Sequence, residues 1–316
     1  MDKNSKIYIA GHKGMVGSAI WKHLNSKGFY NLIGKTSKEL DLRNQSDVFN
    51  FYQNEKPNIV IDAAAKVGGI LANNSFPYQF IMDNLLIQNN LIDSAHKTNV
   101  EKFIFLGSSC IYPKLAPQPL KEEYLLTLPL EPTNEWYAIA KIAGVKSCEA
   151  IKKQFGKEFI SLMPTNLYGP NDNFDLISSH VLPAMMRKFH EAKVNNKTEI
   201  ELWGSGSVFR EFMHVDDLAE AVCFAIENKL EKSLYNVGSG VDLTIKDLAL
   251  LIQKTVEHKG NIKWDNSKPD GSPRKLMDVS KLKELGWESQ IKLEDGIKQT
   301  YQWFLSHQED YKTVKF

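Results

Sequence analysis

The sequence predicts an α/β protein: a Rossmann-type, doubly wound parallel sheet with a smaller α/β substrate-binding lobe. Short, nearly continuous apolar runs alternate with helical patterns through the first half of the chain, which is how parallel strands covered on both faces read. The first of these runs ends in a glycine turn that opens a helix. After about residue 169 the alternation loosens into loops punctuated by Gly and Pro.

Taken in order, Ile7–Ala10 is the first strand, and the amphipathic stretch after its turn runs through Leu24 as the first helix. Residues 31–34, 59–63 and 102–106 are further apolar runs of strand length, separated by helical stretches at 45–54 and 77–96. A helical stretch over 134–155 leads to another strand over 157–163. These elements assign residues 1–169 to a dinucleotide-binding domain. Polar loops at 170–175 and 265–273 flank shorter candidates at 199–203, 215–227 and 245–257. Residues 170–316 are therefore expected to form mainly the smaller lobe, with segments near 207–240 returning to the first domain. Ligands of such a sheet bind at the carboxyl ends of its strands.

Composition narrows the class. At 42% hydrophobic and 24% charged residues the chain is neither disordered nor fibrous, and a net charge of +1 gives no general attraction to nucleic acid or membrane. The apolar segment near the N-terminus is too short for an export core, and no run approaches the roughly 18 residues of a membrane span. Cys110, Cys148 and Cys223 are odd in number and have no metal-ligand spacing, so reduced thiols in a cytoplasmic protein and no bound metal are expected.

Gly11-His12-Lys13-Gly14-Met15-Val16-Gly17 follows the first strand. Glycines permit a tight turn and let backbone N–H groups approach a pyrophosphate at a positive helix terminus. The spacing is G-x-x-G-x-x-G, and without its strand-turn-helix setting it would be an ordinary glycine turn. An acid at the end of the second strand would read a free ribose 2′-OH and repel a 2′-phosphate. Here Gly34-Lys35-Thr36-Ser37-Lys38 offers none before Glu39, and Lys13 adds positive charge, so NADP(H) is favoured over NAD(H).

Tyr137 and Lys141 form a Y-x-x-x-K pair, placed on one helix face by their spacing. A neighbouring ammonium favours the phenolate and brings the tyrosine toward proton-transfer chemistry. Alone, such a pair is more often a surface pair; its weight comes from Gly107-Ser108-Ser109 ending a strand before it. A serine hydroxyl there can polarise a substrate carbonyl, with Ser108 preferred to Ser109.

At these residues the chain resembles the GDP-L-fucose synthase family of the extended short-chain dehydrogenase/reductase superfamily. The blocks that carry the resemblance are AGHKGMVG at 10–17, AAAKVGG at 63–69, LGSSCIYPK at 106–114, EPTNE at 131–135 and YAIAKIAG at 137–144. MPTNLYGP at 163–170, WGSG at 203–206, HVDD at 214–217 and KPDGSPRK at 268–275 continue it across nearly the whole chain. The resemblance implies a GDP-linked 4-keto sugar as substrate, epimerised at C3 and C5 and reduced at C4 by NADPH.

By the same resemblance, Ser108, Cys110, Tyr137, Lys141 and His180 are catalytic: Cys110 and His180 are the epimerising base and acid, and Tyr137 is the proton donor at C4. The cofactor would be held by Gly11–Gly17, Leu106, Gly107, Ser108, Ser109, Lys141, Pro164, Thr165, Asn166, Leu167 and His180. The nucleotide sugar would be held by Lys188, Trp203, Arg210, Asp270 and Lys275. Without the family context, Cys110 reads as core filler, His180 as a helix-start residue and the lysines as solvated surface. A homodimer through the helices at 77–96 and 134–155 is also implied.

The chain departs from the family pattern at Trp136, commonly proline, at the segment 174–179 before His180, at Lys188, often arginine, and at Ser37, where Lys35 and Lys38 compensate for a frequent arginine. Trp136 and the altered segment are expected to reshape the sugar pocket. They leave open a C4-reductase for a related substrate such as a GDP-heptose, and, from another class, a non-catalytic NADP(H)-binding scaffold.

Overall fold

The computed structural model describes residues 2–176, 178–268 and 270–308. Its first half runs β1 (Ile7–Ala10), α1 (Met15–Ser26), β2 (Leu32–Ile33), α2 (Gln45–Glu55), β3 (Ile59–Asp62), α3 (Ile70–Ser75), α4 (Pro77–Lys97), β4 (Lys102–Leu106), α5 (Glu135–Phe155) and β5 (Glu158–Pro164). Next come β6 (Asn166–Tyr168), α6 (Val181–Val194), β7 (Glu199–Trp203), β8 (Phe209–His214), α7 (Val215–Glu227) and β9 (Leu234–Val237). The chain closes with β10 (Asp242–Thr244), α8 (Ile245–Val256), β11 (Asn261–Asp265), β12 (Arg274–Lys275), α9 (Ser280–Glu284) and α10 (Leu293–Ser306).

Six strands form one parallel sheet in the order β2-β1-β3-β4-β5-β9. Side chains alternate between its faces. Ile7, Ile9, Ile59, Ile61, Ile104, Ile160 and Leu162 pack against α1 and α7, whereas Tyr8, Val60, Phe103, Phe105 and Phe159 pack against α2, α4 and α5. Because both faces are buried, the strands read as unbroken apolar runs. The strand expected over 31–34 is shorter, since only Leu32 and Ile33 pair with β1 at the sheet edge. Gly34 then passes so close to the His12 ring that a Cβ there would lie 2.4 Å from its Cγ.

Local chemistry fixes the helix ends. The Asn44 side chain caps α2 by accepting from Ser46 N at 3.1 Å and Asp47 N at 3.3 Å, and Thr244 caps α8 by accepting from Asp247 N at 3.0 Å. Lys102, buried on β4, donates to the carbonyls of Ala225, Ile226 and Asn228 at 2.9, 3.0 and 2.8 Å, closing the negative end of α7 over the sheet.

A third core lies between α6, α8 and α10, built on Leu182, Met186, Phe189, Leu248, Ile252, Ile297 and Phe304. β8 pairs with β6, β10 and β12, while β7 pairs with β11. A cleft opens where this part meets the carboxyl ends of β4 and β5. Among the described residues no helix is long and apolar enough to cross a membrane, and no group of His, Cys, Asp or Glu is arranged to hold a metal.

Candidate active site

The glycine turn joins β1 to α1. Gly11 has φ +78°, and a Cβ on it would lie 2.6 Å from the Ala63 carbonyl oxygen; a Cβ on Gly17 would lie 2.2 Å from that of Gly11. Both positions admit only hydrogen, and Gly14 N donates to Gly11 O at 2.8 Å to tighten the loop. The turn thus presents bare backbone before the α1 N-terminus, as a pyrophosphate requires. At the adjoining ribose corner, Glu39 accepts from Thr36 N and Oγ1 at 2.8 and 2.6 Å, and Lys35 and Lys13 stand within electrostatic reach of its carboxylate. Glu39 is thereby engaged by its own loop, which suits a 2′-phosphate on the cofactor.

The chain leaves β4 through Gly107, where a Cβ would meet Met163 Cε at 2.0 Å, and turns into a single 3₁₀ turn at Ser109–Ile111. The Ser108 hydroxyl caps that turn, accepting from Cys110 N at 3.4 Å, and acts on both Tyr137 and Cys110, drawing each down against the effect of burial. Lys141 Nζ donates to Leu106 O at 2.9 Å, lies 4.7 Å from the Phe105 ring centre and 6.0 Å from that of Tyr137. Burial pushes Tyr137 well above the usual phenol range and pulls Lys141 down, with Asp62 the main group opposing the lysine's fall.

Cys110 is 6% exposed. Burial raises its thiol, while Lys275, Ser108 and Lys141 draw it back toward the thiolate. Lys275 is itself lowered by burial and held up by Cys110. His180 forms the N-cap of α6 and is open to the cleft, although protein surrounds enough of the ring for burial to lower its pKa. The loop before it is anchored across the cleft: Gly69 N donates to Ser178 O at 3.1 Å, and a Cβ on Gly69 would lie 2.8 Å from Ser179 O.

These groups line one cavity of about 340 Å³, shared by Ser108, Ser109, Cys110, Tyr137, Asn166, Leu167 and His180 with Lys188, Trp203, Arg210, Asp270 and Lys275. Trp203, 52% exposed, sits at the rim between the Lys188 and Lys268 ammonium groups, 5.6 and 5.5 Å from its ring. Lys188 also donates to Glu201 O at 3.1 Å. Asp270 accepts from Ser205 N and Oγ at 2.8 Å each, and Arg210 Nη2 donates to Asp270 O at 3.0 Å. Pro164 ends β5 inside the core sheet. Thr165 Oγ1 and Asn166 Nδ2 both donate to Glu211 O, at 3.3 and 2.8 Å.

Glycine-turn residues 11–17 do not line this cavity; they lie at the end of β1 beside Ala63. Sequence reading missed Glu131 and Asn134, which line the cleft, although EPTNE had signalled the segment. Glu131 is 6% exposed and bridges to Lys114 at 2.9 Å, which holds its carboxyl below the ordinary range against the opposing effect of burial. Trp136 is a correction: it does not line the cleft and is 44% exposed. As Tyr137's immediate neighbour on α5 it projects about 100° around the helix from the tyrosine. Of the altered segment, Leu176 and Ser179 do line the cleft. Ile177 of that segment and Pro269 of KPDGSPRK lie outside the described residues.

Residues 7–238 match the NAD dependent epimerase/dehydratase family. The chain is 58% identical over 306 residues to GDP-L-fucose synthase 1 of Arabidopsis thaliana, covering 97% of this chain and 95% of that one. Its fold is similar to that of a GDP-6-OMe-4-keto-L-xylo-heptose reductase from C. jejuni, with TM-score 0.92, 40% identity and coverage of 97% and 99%. It is also similar to a GDP-L-fucose synthetase from Naegleria fowleri bound to NADP, with TM-score 0.89, 28% identity and coverage of 99% and 98%. With the glycine turn, the Tyr137–Lys141 pair and the parallel sheet in place, the chain belongs to the NAD dependent epimerase/dehydratase family, and within it to the GDP-L-fucose synthases.

Proposed function

We propose that the chain is an NADPH-dependent 3,5-epimerase/4-reductase that converts GDP-4-keto-6-deoxy-D-mannose into GDP-L-fucose. The observation that carries this is the meeting of Ser108, Cys110 and Tyr137 in the wall of one cavity, with the Ser108 hydroxyl acting on both of the others. One substrate carbonyl seated there meets a reducing pair and an epimerising thiol without moving.

The glycine turn would hold the cofactor's pyrophosphate, and Lys13, Lys35 and Lys38 would take its 2′-phosphate. Bound NADPH supplies hydride to C4. Ser108 polarises the C4 carbonyl, which also acidifies the protons on C3 and C5. Burial keeps the Cys110 thiol and the His180 imidazole uncharged at rest, and Lys275 is the leading group that favours the thiolate. Each carbon loses its proton to one of these two groups and regains one from the other on the opposite face. Tyr137, kept protonated by burial, then protonates the developing C4 alkoxide while Lys141 stabilises the phenolate left behind. Lys188, Trp203, Arg210 and Asp270 hold the nucleotide end. A homodimer through α4 and α5, acting in the cytoplasm, completes the reading.

A second reading is a C4-reductase for a related GDP-4-keto sugar such as a GDP-heptose. It is favoured by the likeness to the heptose reductase and by Leu176 and Ser179 in the cleft wall. NMR analysis of products formed with NADPH from the six-carbon and a seven-carbon GDP-4-keto sugar separates the two. Deuterium uptake at C3 and C5 in heavy water tests epimerisation, and no uptake at either carbon removes Cys110 and His180 from their roles. A folded, NADPH-binding protein inert toward every such sugar would restore the scaffold reading.

A further inference from the structure

Outside the cleft, next to Lys141, lies a carboxylate that the reaction above does not use. Asp62 ends β3, in register with Ala10 of β1 on one side and Phe105 of β4 on the other. It is 0% exposed. Alternation along the strand puts it on the same face as Val60, in the core built from Tyr8, Tyr52, Phe105 and Cys148. One of its oxygens accepts from Ala64 N at 3.1 Å, and the other meets no hydrogen-bond donor.

A carboxylate with an unmatched oxygen on an apolar face is costly unless a positive charge faces it. The titratable groups around Asp62 are Tyr8 from β1, Tyr52 from α2, and Tyr137, Lys141 and Cys148 from α5. The buried polar side chains of α4, namely Asn84, Gln88, Asn90 and Ser94, are uncharged. Lys141 is the cation of this set. It is held from other directions by Leu106 O and the Phe105 ring, so its ammonium is fixed in place, 2% exposed, with water excluded.

We propose that Asp62 is a positioning residue for the reduction: its carboxylate is the buried counter-charge that keeps the Lys141 ammonium protonated against Tyr137. The two groups answer each other. Burial lowers Lys141 and Asp62 leads the opposing effects; burial raises Asp62 to about 6 and Lys141 leads the opposition there. Above about pH 6 Asp62 is ionised, and the dyad of Tyr137 and Lys141 gains a third member between the sheet and α5. The inference rests on Tyr137 and Lys141 being the proton-donating pair.

The test is the pH profile of kcat for NADPH oxidation. Asp62→Asn keeps the shape and an oxygen for Ala64 N–H but removes the charge. Without that anion the Tyr137–Lys141 pair gives up its first proton at lower pH, whichever residue releases it. The alkaline limb of D62N is expected to move down by about one pH unit, with KM for the sugar and NADPH affinity within about threefold of the unsubstituted enzyme. A limb that stays in place in the folded variant overturns the proposal.

If the Asn variant does not fold, ¹³C NMR of aspartate-labelled protein gives a second reading. One buried aspartate should titrate near 6 and move upward by about one unit in Lys141→Met, because a lost cation raises a carboxyl. No such displacement overturns the proposal. Loss of reduction in Tyr137→Phe beside an unmoved D62N limb discards Asp62 alone, whereas full reduction by Tyr137→Phe discards the pair and Asp62 with it.

Discussion

Lys141 Nζ lies 2.9 Å from the carbonyl oxygen of Leu106, the last residue of β4. The same strand end therefore launches Ser108 and fixes the Lys141 ammonium, 6.0 Å from the Tyr137 ring. Replacing Tyr137 by Phe removes the proposed proton donor and leaves the Lys141–Leu106 bond intact. Its kcat for NADPH oxidation should fall about 10²- to 10⁴-fold, the usual worth of a positioned proton donor, while NADPH affinity changes little. Stopped-flow absorbance and cofactor fluorescence measure the two.

Cys110 gives a charge-sensitive prediction. Burial raises its thiol and Lys275 leads the groups that lower it, so Lys275→Met should push the thiol further up. At a fixed pH below that pKa, alkylation by iodoacetamide should slow about tenfold for each unit of upward shift. An unchanged alkylation profile would show that Lys275 does not act on the thiol. Cys110→Ser should abolish deuterium uptake at C3 and C5 and leave NADPH binding unaltered.

Backbone approach at the glycine turn sets a third expectation. A methyl group on Gly17 would sit 2.2 Å from Gly11 O, too close for the turn to survive unshifted. Gly17→Ala should cost about 1–3 kcal/mol, as overpacking does, and weaken NADPH binding at least tenfold. Thermal melting with and without NADPH separates the two losses. A variant that binds normally would mean the turn does not seat the pyrophosphate.

At the rim, Trp203 stands within 5.6 Å of the Lys188 ammonium and 5.5 Å of that of Lys268. Trp203→Ala should raise KM for the GDP-sugar about tenfold with kcat nearly unchanged, the mark of binding lost equally from ground and transition states. A fall in kcat at constant KM would instead place the residue near the reacting carbons.

Much of this was legible in the sequence because it is written in local pattern. The strands of the main sheet are buried on both faces, so Ile59–Asp62 and Lys102–Leu106 read as apolar runs. Tyr137 and Lys141 share a helix face by spacing alone. Asp62 was not legible: an acid at the end of a strand reads as the start of a turn, and only the register with Phe105 puts it behind Lys141. Glu131 stayed hidden for a related reason, since its partners Lys114 and Ser272 come from distant parts of the chain. Trp136 misled in the opposite sense, because adjacency to Tyr137 in sequence is divergence around a helix.

The bond from Gly69 to Ser178 joins two walls of the cleft through main chain, with no space for a side chain between them. With the sugar seated at this end of the cleft, as proposed, that end is closed like the toe of a boot, while the opposite rim is built from side chains such as Trp203 and Lys188. A nucleotide sugar should enter sugar-first and leave nucleotide-first. Analogues enlarged on the base should still load; on the six-carbon reading analogues enlarged at C6 of the sugar should not, and their loading would favour the heptose reading.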